Sequence, residues 1–209
     1  MSEEKVAMRM VGRVAVVESD NQPVNALGQG VREGLVNCLR QGLEDDQAKA
    51  LVVIGEGRTF PAGADIREFG KPPAGPALPD VISEYESSDK LVIAAIHGTA
   101  LGGGLEIALA CHRRIALNNP KAQFGFPEVS LGLLPGAGGV VRLTALLGLE
   151  KALPLLMEGK PQSPKKALAL GMVDEMVATR EDLIPAAKAW IKANPDAAQQ
   201  PWDKKGFVH

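Results

Sequence analysis

Two hydrophobic periods alternate along the chain. Residues 6–10 and 13–18 are β-branched runs around Val11-Gly12, which predicts a hairpin or two consecutive short strands. Asn25-Ala-Leu-Gly then opens a helix. Within it Val31, Leu35, Cys38, Leu39 and Leu43 recur at helical spacing, while Arg32, Glu33, Arg40 and Glu44 take the opposite side. Residues 50–55 and 91–98 are unbroken apolar runs closed by glycine, the pattern of strands buried on both faces of a parallel sheet covered by helices. Residues 70–79, with prolines 72, 73, 76 and 79, fit no regular element and predict a surface loop. Further on, 104–110 reads as a buried helix and 121–125 as a short extended piece. Residues 138–147, 151–158 and 163–170 read as helices, 172–178 as a strand, and 183–193 as a last helix stopped by Asn194-Pro195. Repeated strand and helix imply an α/β fold. The aperiodic tail from Asp196 reads as a linker or frayed end, so the expected organisation is one domain over 1–193 and a linker-like tail over 194–209.

Composition narrows the function classes. Lys+Arg number 23 against 25 Asp+Glu, and aromatics make up 4%, which is no footprint for a nucleic-acid partner. The acidic start MSEEKVAMRM has neither the basic flank nor the apolar run of a signal peptide, and no apolar stretch reaches membrane-span length. The expectation is a cytoplasmic protein with no membrane partner. Cys38 and Cys111 lie in apolar helical patterns and read as buried, reduced thiols.

Chemistry concentrates in a few places. After Ile96-His97-Gly98, the run Gly102-Gly103-Gly104 precedes a helix, where a ligand can approach the backbone and free N–H groups face it. Such a loop suits a phosphate or a developing oxyanion; tight helix-on-sheet packing explains the glycines equally well. No Walker loop or GxGxxG frame occurs. Glu106 sits in the first turn of that helix among apolar neighbours, either as an acid of the site or as a complement to the helix dipole. Glu128, after Phe124-Gly-Phe-Pro127, is either aimed by the turn or caps a helix. Two desolvated carboxylates are what general acid-base chemistry requires. In 57–66 the small residues can expose N–H groups, with Asp65 as an alternative N-cap. No serine lies in a nucleophile frame, the histidines are only His97, His112 and His209, and Cys111-His112 is too isolated for zinc, so no metal is expected.

In combination, Phe60-Pro-Ala-Gly-Ala-Asp-Ile66, residues 96–106, Ala122-Gln-Phe-Gly-Phe-Pro-Glu128 and Gly132-Leu-Leu-Pro-Gly-Ala-Gly-Gly139 resemble the enoyl-CoA hydratase/isomerase (crotonase) superfamily. The hydratase segments of multifunctional fatty-acid β-oxidation enzymes are nearest in character. The resemblance implies a crotonase (ClpP-like) fold, a spiral of ββα repeats, with the usual C-terminal helical region truncated. It implies an acyl-CoA thioester as ligand, no separate cofactor, and an oxyanion hole from the N–H groups of Ala62 and Gly103. Glu106 and Glu128 are the implied catalytic acids, and Gly63, Ala64, Asp65, Ile66, Gly102, Pro127 and Gly136 the implied substrate contacts. The implied reaction is hydration of a trans-2-enoyl-CoA. An isomerase using Glu128 alone, or a catalytically poor acyl-CoA-binding fragment, are the alternatives. A homotrimer or a partner or fused dehydrogenase half is the implied assembly, with apolar surface left open where the helical region is absent.

Overall fold

The structure, a computed structural model, describes residues 5–207; the acidic residues 3–4 and His209 lie outside them. β1 (Val6–Val11) and β2 (Val14–Ser19) form the expected hairpin, turning at Gly12 with φ +68°. β3 (Ala50–Gly55), β5 (Leu91–Ile96), β7 (Arg113–Leu117) and β9 (Glu175–Val177) then add in parallel, giving the order β1-β2-β3-β5-β7-β9. A second, smaller sheet holds β4 (Thr59–Ala62), β6 (Thr99–Leu101) and β8 (Phe124–Gly125), all parallel. Each β3, β5 and β7 therefore hands the chain to a strand of the small sheet and then to a helix. Those helices are α2 (Leu78–Glu86), α3 (Gly103–Ala110) and α4 (Gly139–Leu147). This is a spiral of ββα repeats. Ahead of it α1 (Gln29–Glu44) follows the hairpin, and after it come α5 (Leu149–Glu158), α6 (Pro164–Leu170) and α7 (Leu183–Ala193).

β3 and β5 are buried along their whole length because helices cover both faces. Alternate residues divide between two cores: Leu51, Val53, Val92 and Ala94 pack under α1 to α3, whereas Val52, Ile54, Ile93 and Ala95 face Leu183 and Ala187 of α7. Fully burying a Val, Leu or Ile side chain stabilises by about 1.5 to 3 kcal/mol, so these two strands anchor the domain.

Among the elements that lie where the sequence predicts none are α2 and β7. α2 begins inside the proline-rich stretch, since Pro79 occupies its second position, where a missing N–H costs nothing. β7 was hidden by Arg113-Arg114. Arg114 is wholly buried, yet its guanidinium meets Asp174 and the Cys111 carbonyl, while Arg113 pairs with Glu175 and lies 4.9 Å over the Trp190 ring. The stretch before α2 is tied down by Arg32, whose Nε donates to Pro76 O and Nη2 to Ala74 O, both at 2.8 Å. Residues 194–207, with the pattern of a linker, fold back on the domain. Gln200 is 2% exposed and its Nε2 donates at 2.7 Å to Ala110 O, one of the carbonyls that the end of α3 leaves unpaired. Large apolar side chains stand exposed on Leu131, Leu134, Val141, Leu149 and Met157, all in or beside α4 and α5. Among the described residues no helix is long and apolar enough to cross a membrane.

Candidate active site

The three consecutive glycines meet different surroundings. A Cβ on Gly104 would fall on the Pro61 carbonyl, so this glycine lets α3 pack directly against β4. Gly102, at φ +51° and ψ −127°, is in a conformation that only glycine adopts readily, and a Cβ there would stand 2.6 Å from Glu128 Oε1. One at Gly103 would meet Leu78 and Leu27 at 2.7 and 2.9 Å and Glu106 Oε2 at 3.8 Å. The start of α3 is thus the meeting point of both acids.

Glu106 is 2% exposed, and its Oε1 accepts from the N–H groups of Ala137 and Gly139, each at 2.8 Å. Its Oε2 takes no hydrogen bond among the described residues. Burial raises its pKa, and the two N–H donors and Arg142 oppose that rise. Glu128 lies in the 3-10 turn Pro127–Leu131, which begins with Pro127 and ends on Gly132 in the left-handed region. Its Oε2 is buried with no partner among the described residues. Burial raises its pKa as well, its own backbone N–H opposes this, and the charge of Glu106 adds to the rise. The environments differ in one respect: Glu106 has fixed donors that favour the ionised form, and Glu128 has few.

Arg142 holds this arrangement from behind and was not singled out by the sequence. It is 8% exposed, its Nη1 donates to Ala137 O at 2.9 Å, and its Nε and Nη2 clasp Glu86 of α2 at 2.9 and 2.6 Å. The only signal was an arginine inside the apolar run Val140-Val141-Arg142-Leu143.

The expected oxyanion donors fare differently. Gly103, as the first residue of α3, has an N–H with no intrahelical acceptor. The Ala62 N–H donates to Val24 O at 3.2 Å and is not free, because the strand end of β4 lies against the β2–α1 loop. Two residues on, the Ala64 N–H has no acceptor among the described residues. Ala64 lines a cleft of about 500 Å³ that Leu27 and Leu78 also line, so it shares both apolar neighbours of Gly103. Gly63 sits at the same corner, its Cα 3.7 Å from a Cβ placed on Gly102.

The remaining predicted contacts divide. Asp65 caps the 3-10 turn Ile66–Glu68 through the Arg67 N–H, and its carboxylate pairs with the Arg67 guanidinium at 2.6 Å. That partner holds its pKa down to about 2. Ile66 is 77% exposed and borders, with Pro23, Val24, Ala26 and Ala64, a second cavity of about 420 Å³. Gly136 is exposed and adjoins Ala137, with nothing nearer to a Cβ there than Leu134 O at 3.9 Å. Asn25 lies four residues before the start of α1 and fastens this corner: its Nδ2 donates to the carbonyls of Glu56 and Thr59 at 2.8 and 2.7 Å.

A parallel-sheet spiral whose third helix carries a buried acid beside free backbone donors is the crotonase fold. Comparison with known proteins makes the assignment specific. The family model described as enoyl-CoA hydratase/isomerase matches residues 10–203, and the chain belongs to that family. It is 47% identical to the peroxisomal bifunctional enzyme of Danio rerio over 163 residues, which are 78% of this chain and 22% of that protein. It is 44% identical to a probable enoyl-CoA hydratase of Bacillus subtilis (strain 168), covering 84% of this chain and 70% of the relative. The crystal structure of enoyl-CoA hydratase from Bacillus anthracis superposes with a TM-score of 0.82 at 30% identity, over 90% of this chain and 76% of the other. The chain thus spans about a fifth of the zebrafish protein.

Proposed function

We propose that this chain hydrates a trans-2-enoyl-CoA to the 3-hydroxyacyl-CoA in fatty-acid β-oxidation. The observation that carries the reading is the pair of glutamates at the N-terminus of α3, Glu106 buried and Glu128 half-buried, with unequal hydrogen bonding. The thioester oxygen lies between the N–H groups of Ala64 and Gly103, the former in place of Ala62. Each preorganised donor to the enolate-like transition state contributes about 3 to 4 kcal/mol. Glu106, whose ionised form the Ala137 and Gly139 N–H groups favour, takes a proton from water as the water oxygen bonds to the β-carbon. Glu128, whose surroundings favour the protonated form, delivers its proton to the α-carbon; the proton that Glu106 took from water then passes back to Glu128, so each turnover adds the elements of water and restores both carboxyl groups. Pantetheine follows the cavity bordered by Ala64 and Ile66, and the acyl chain enters the cleft beside Leu27 and Leu78.

The test is crotonyl-CoA hydration, followed as loss of enoyl-thioester absorbance, for the wild type, Glu106→Gln and Glu128→Gln. Each variant is expected to lose turnover by orders of magnitude while still binding CoA thioesters. A second reading, double-bond isomerisation by Glu128 alone, draws on its unpartnered Oε2. It is the better one if Glu106→Gln retains isomerase turnover and the wild type hydrates nothing.

A further inference from the structure

We propose that a third cavity, at the corner between the two sheets, binds the phosphate group of a phosphate ester. The cavity, about 470 Å³, opens where the β3–β4, β5–β6 and β7–β8 connections meet the segment before α7. Arg58, Lys121 and Arg180 line it, and no Asp or Glu does. Arg180 is locked in place: its Nη2 donates to Gly55 O at 3.0 Å and pairs with Glu56 at 3.1 Å. Arg58 and Lys121 have no ion-pair partner among the described residues.

The neutral part of the wall is also built of donors in need of acceptors. His97 is 4% exposed; one ring N–H faces the Gly57 carbonyl, and the other ring nitrogen has no hydrogen-bond partner among the described residues. Thr59 Oγ1 is likewise buried and unpartnered, while Thr99 Oγ1 accepts from Gln123 N at 3.2 Å and keeps its own proton to donate. Buried polar groups left in this state cost about 1 to 3 kcal/mol each, so folds keep them where something else completes the bonding. Burial, with Arg180 beside it, lowers the His97 pKa to about 4, so the ring is neutral. Glu56 offsets only Arg180, so the charges of Arg58 and Lys121 still disfavour a cation. A tetrahedral oxyanion presents oxygens to donors arriving from several loops, as a flat carboxylate does not, and the volume leaves room for the ester's organic part.

Pro23 and Val24 line both this cavity and the neighbouring one bordered by Ala62 and Ala64. The phosphate group therefore has two sources: the nucleotide end of the proposed acyl-CoA ligand, or a separate phosphorylated molecule. Only the first rests on the functional reading above.

Inorganic phosphate is titrated into the full chain at constant ionic strength, read by calorimetry and by the imidazole NMR signals of His97, assigned by loss in His97→Gln among the three histidines. Saturable binding that moves the His97 signals is expected. It should weaken at least about tenfold in the surface variant Arg58→Gln/Lys121→Gln, whose fold is checked by circular dichroism. CoA and 3′-dephospho-CoA then separate the sources. Stronger binding of CoA in the wild type only, with phosphate competing, assigns the cavity to the nucleotide end; simultaneous binding of phosphate and CoA assigns it to a second molecule. Absence of saturable phosphate binding, unmoved His97 signals, or equal affinity in the double variant overturns the proposal, and none of these bears on crotonyl-CoA turnover.

Discussion

Gly102→Ala puts the geometry of the acids to a quantitative test. At φ +51° and ψ −127° a side chain is strained, and residues held in such regions cost about 1 to 3 kcal/mol. For a domain of this size that corresponds to a melting temperature lower by roughly 3 to 10 °C. The added Cβ also stands 2.6 Å from Glu128 Oε1, whereas carbon and oxygen rest in contact at about 3.3 Å. The carboxylate must therefore retreat by about 0.7 Å, and a displacement approaching 1 Å in a catalytic group costs up to about a hundredfold in rate. Crotonyl-CoA hydration and thermal unfolding are measured side by side. The expected result is a kcat lower by about ten- to a hundredfold, with KM changed far less, since the thioester donors remain. A variant with wild-type kcat and unfolding temperature would falsify the placement of Glu128 beside Gly102.

Other expectations follow from the same contacts. Glu106→Ala leaves the Ala137 and Gly139 N–H groups without an acceptor and should destabilise the fold by about 2 to 4 kcal/mol, whereas Glu106→Gln keeps an acceptor oxygen and should melt close to the wild type; chemical denaturation of both variants checks this. Arg142→Ala uncouples the Ala137 loop from Glu86, and with Glu86 partly exposed a loss of about 2 to 3 kcal/mol is expected, together with a fall in kcat exceeding any rise in KM. Wild-type kinetics in that variant would remove Arg142 from any positioning role. Glu128 has a folded pKa raised above its unfolded value, so between the two the native state binds more protons and stability falls as pH rises. Glu128→Gln should then unfold at a higher temperature than the wild type above the ordinary carboxylate range, the gap closing as pH drops through it; a gap that is constant with pH contradicts the raised pKa.

Much of the fold was legible in the chain because burial on two faces leaves its mark in composition. The continuous runs at 50–55 and 91–96 could only be interior strands, and the 3.6-residue period of α1 shows which side meets them. Glu106 and Glu128 stood out for a related reason: a carboxylate in apolar sequence is a departure that burial makes costly. β7 left no such mark, since Arg113 and Arg114 look like solvent residues until Asp174 and Glu175, some sixty positions away, come alongside. The free N–H at Ala64 rather than Ala62 was equally unreadable. Which of neighbouring amides is occupied depends on where the Val24 carbonyl comes to rest, and a sequence records side chains, not the partners of its backbone. The sequence by itself determined the interior strands β3 and β5, most of the helices, the two acids and the glycines beside them. Tertiary structure alone decided which of the two carboxylates receives fixed N–H donors that favour its ionised form, because those donors come from a loop more than thirty residues away along the chain.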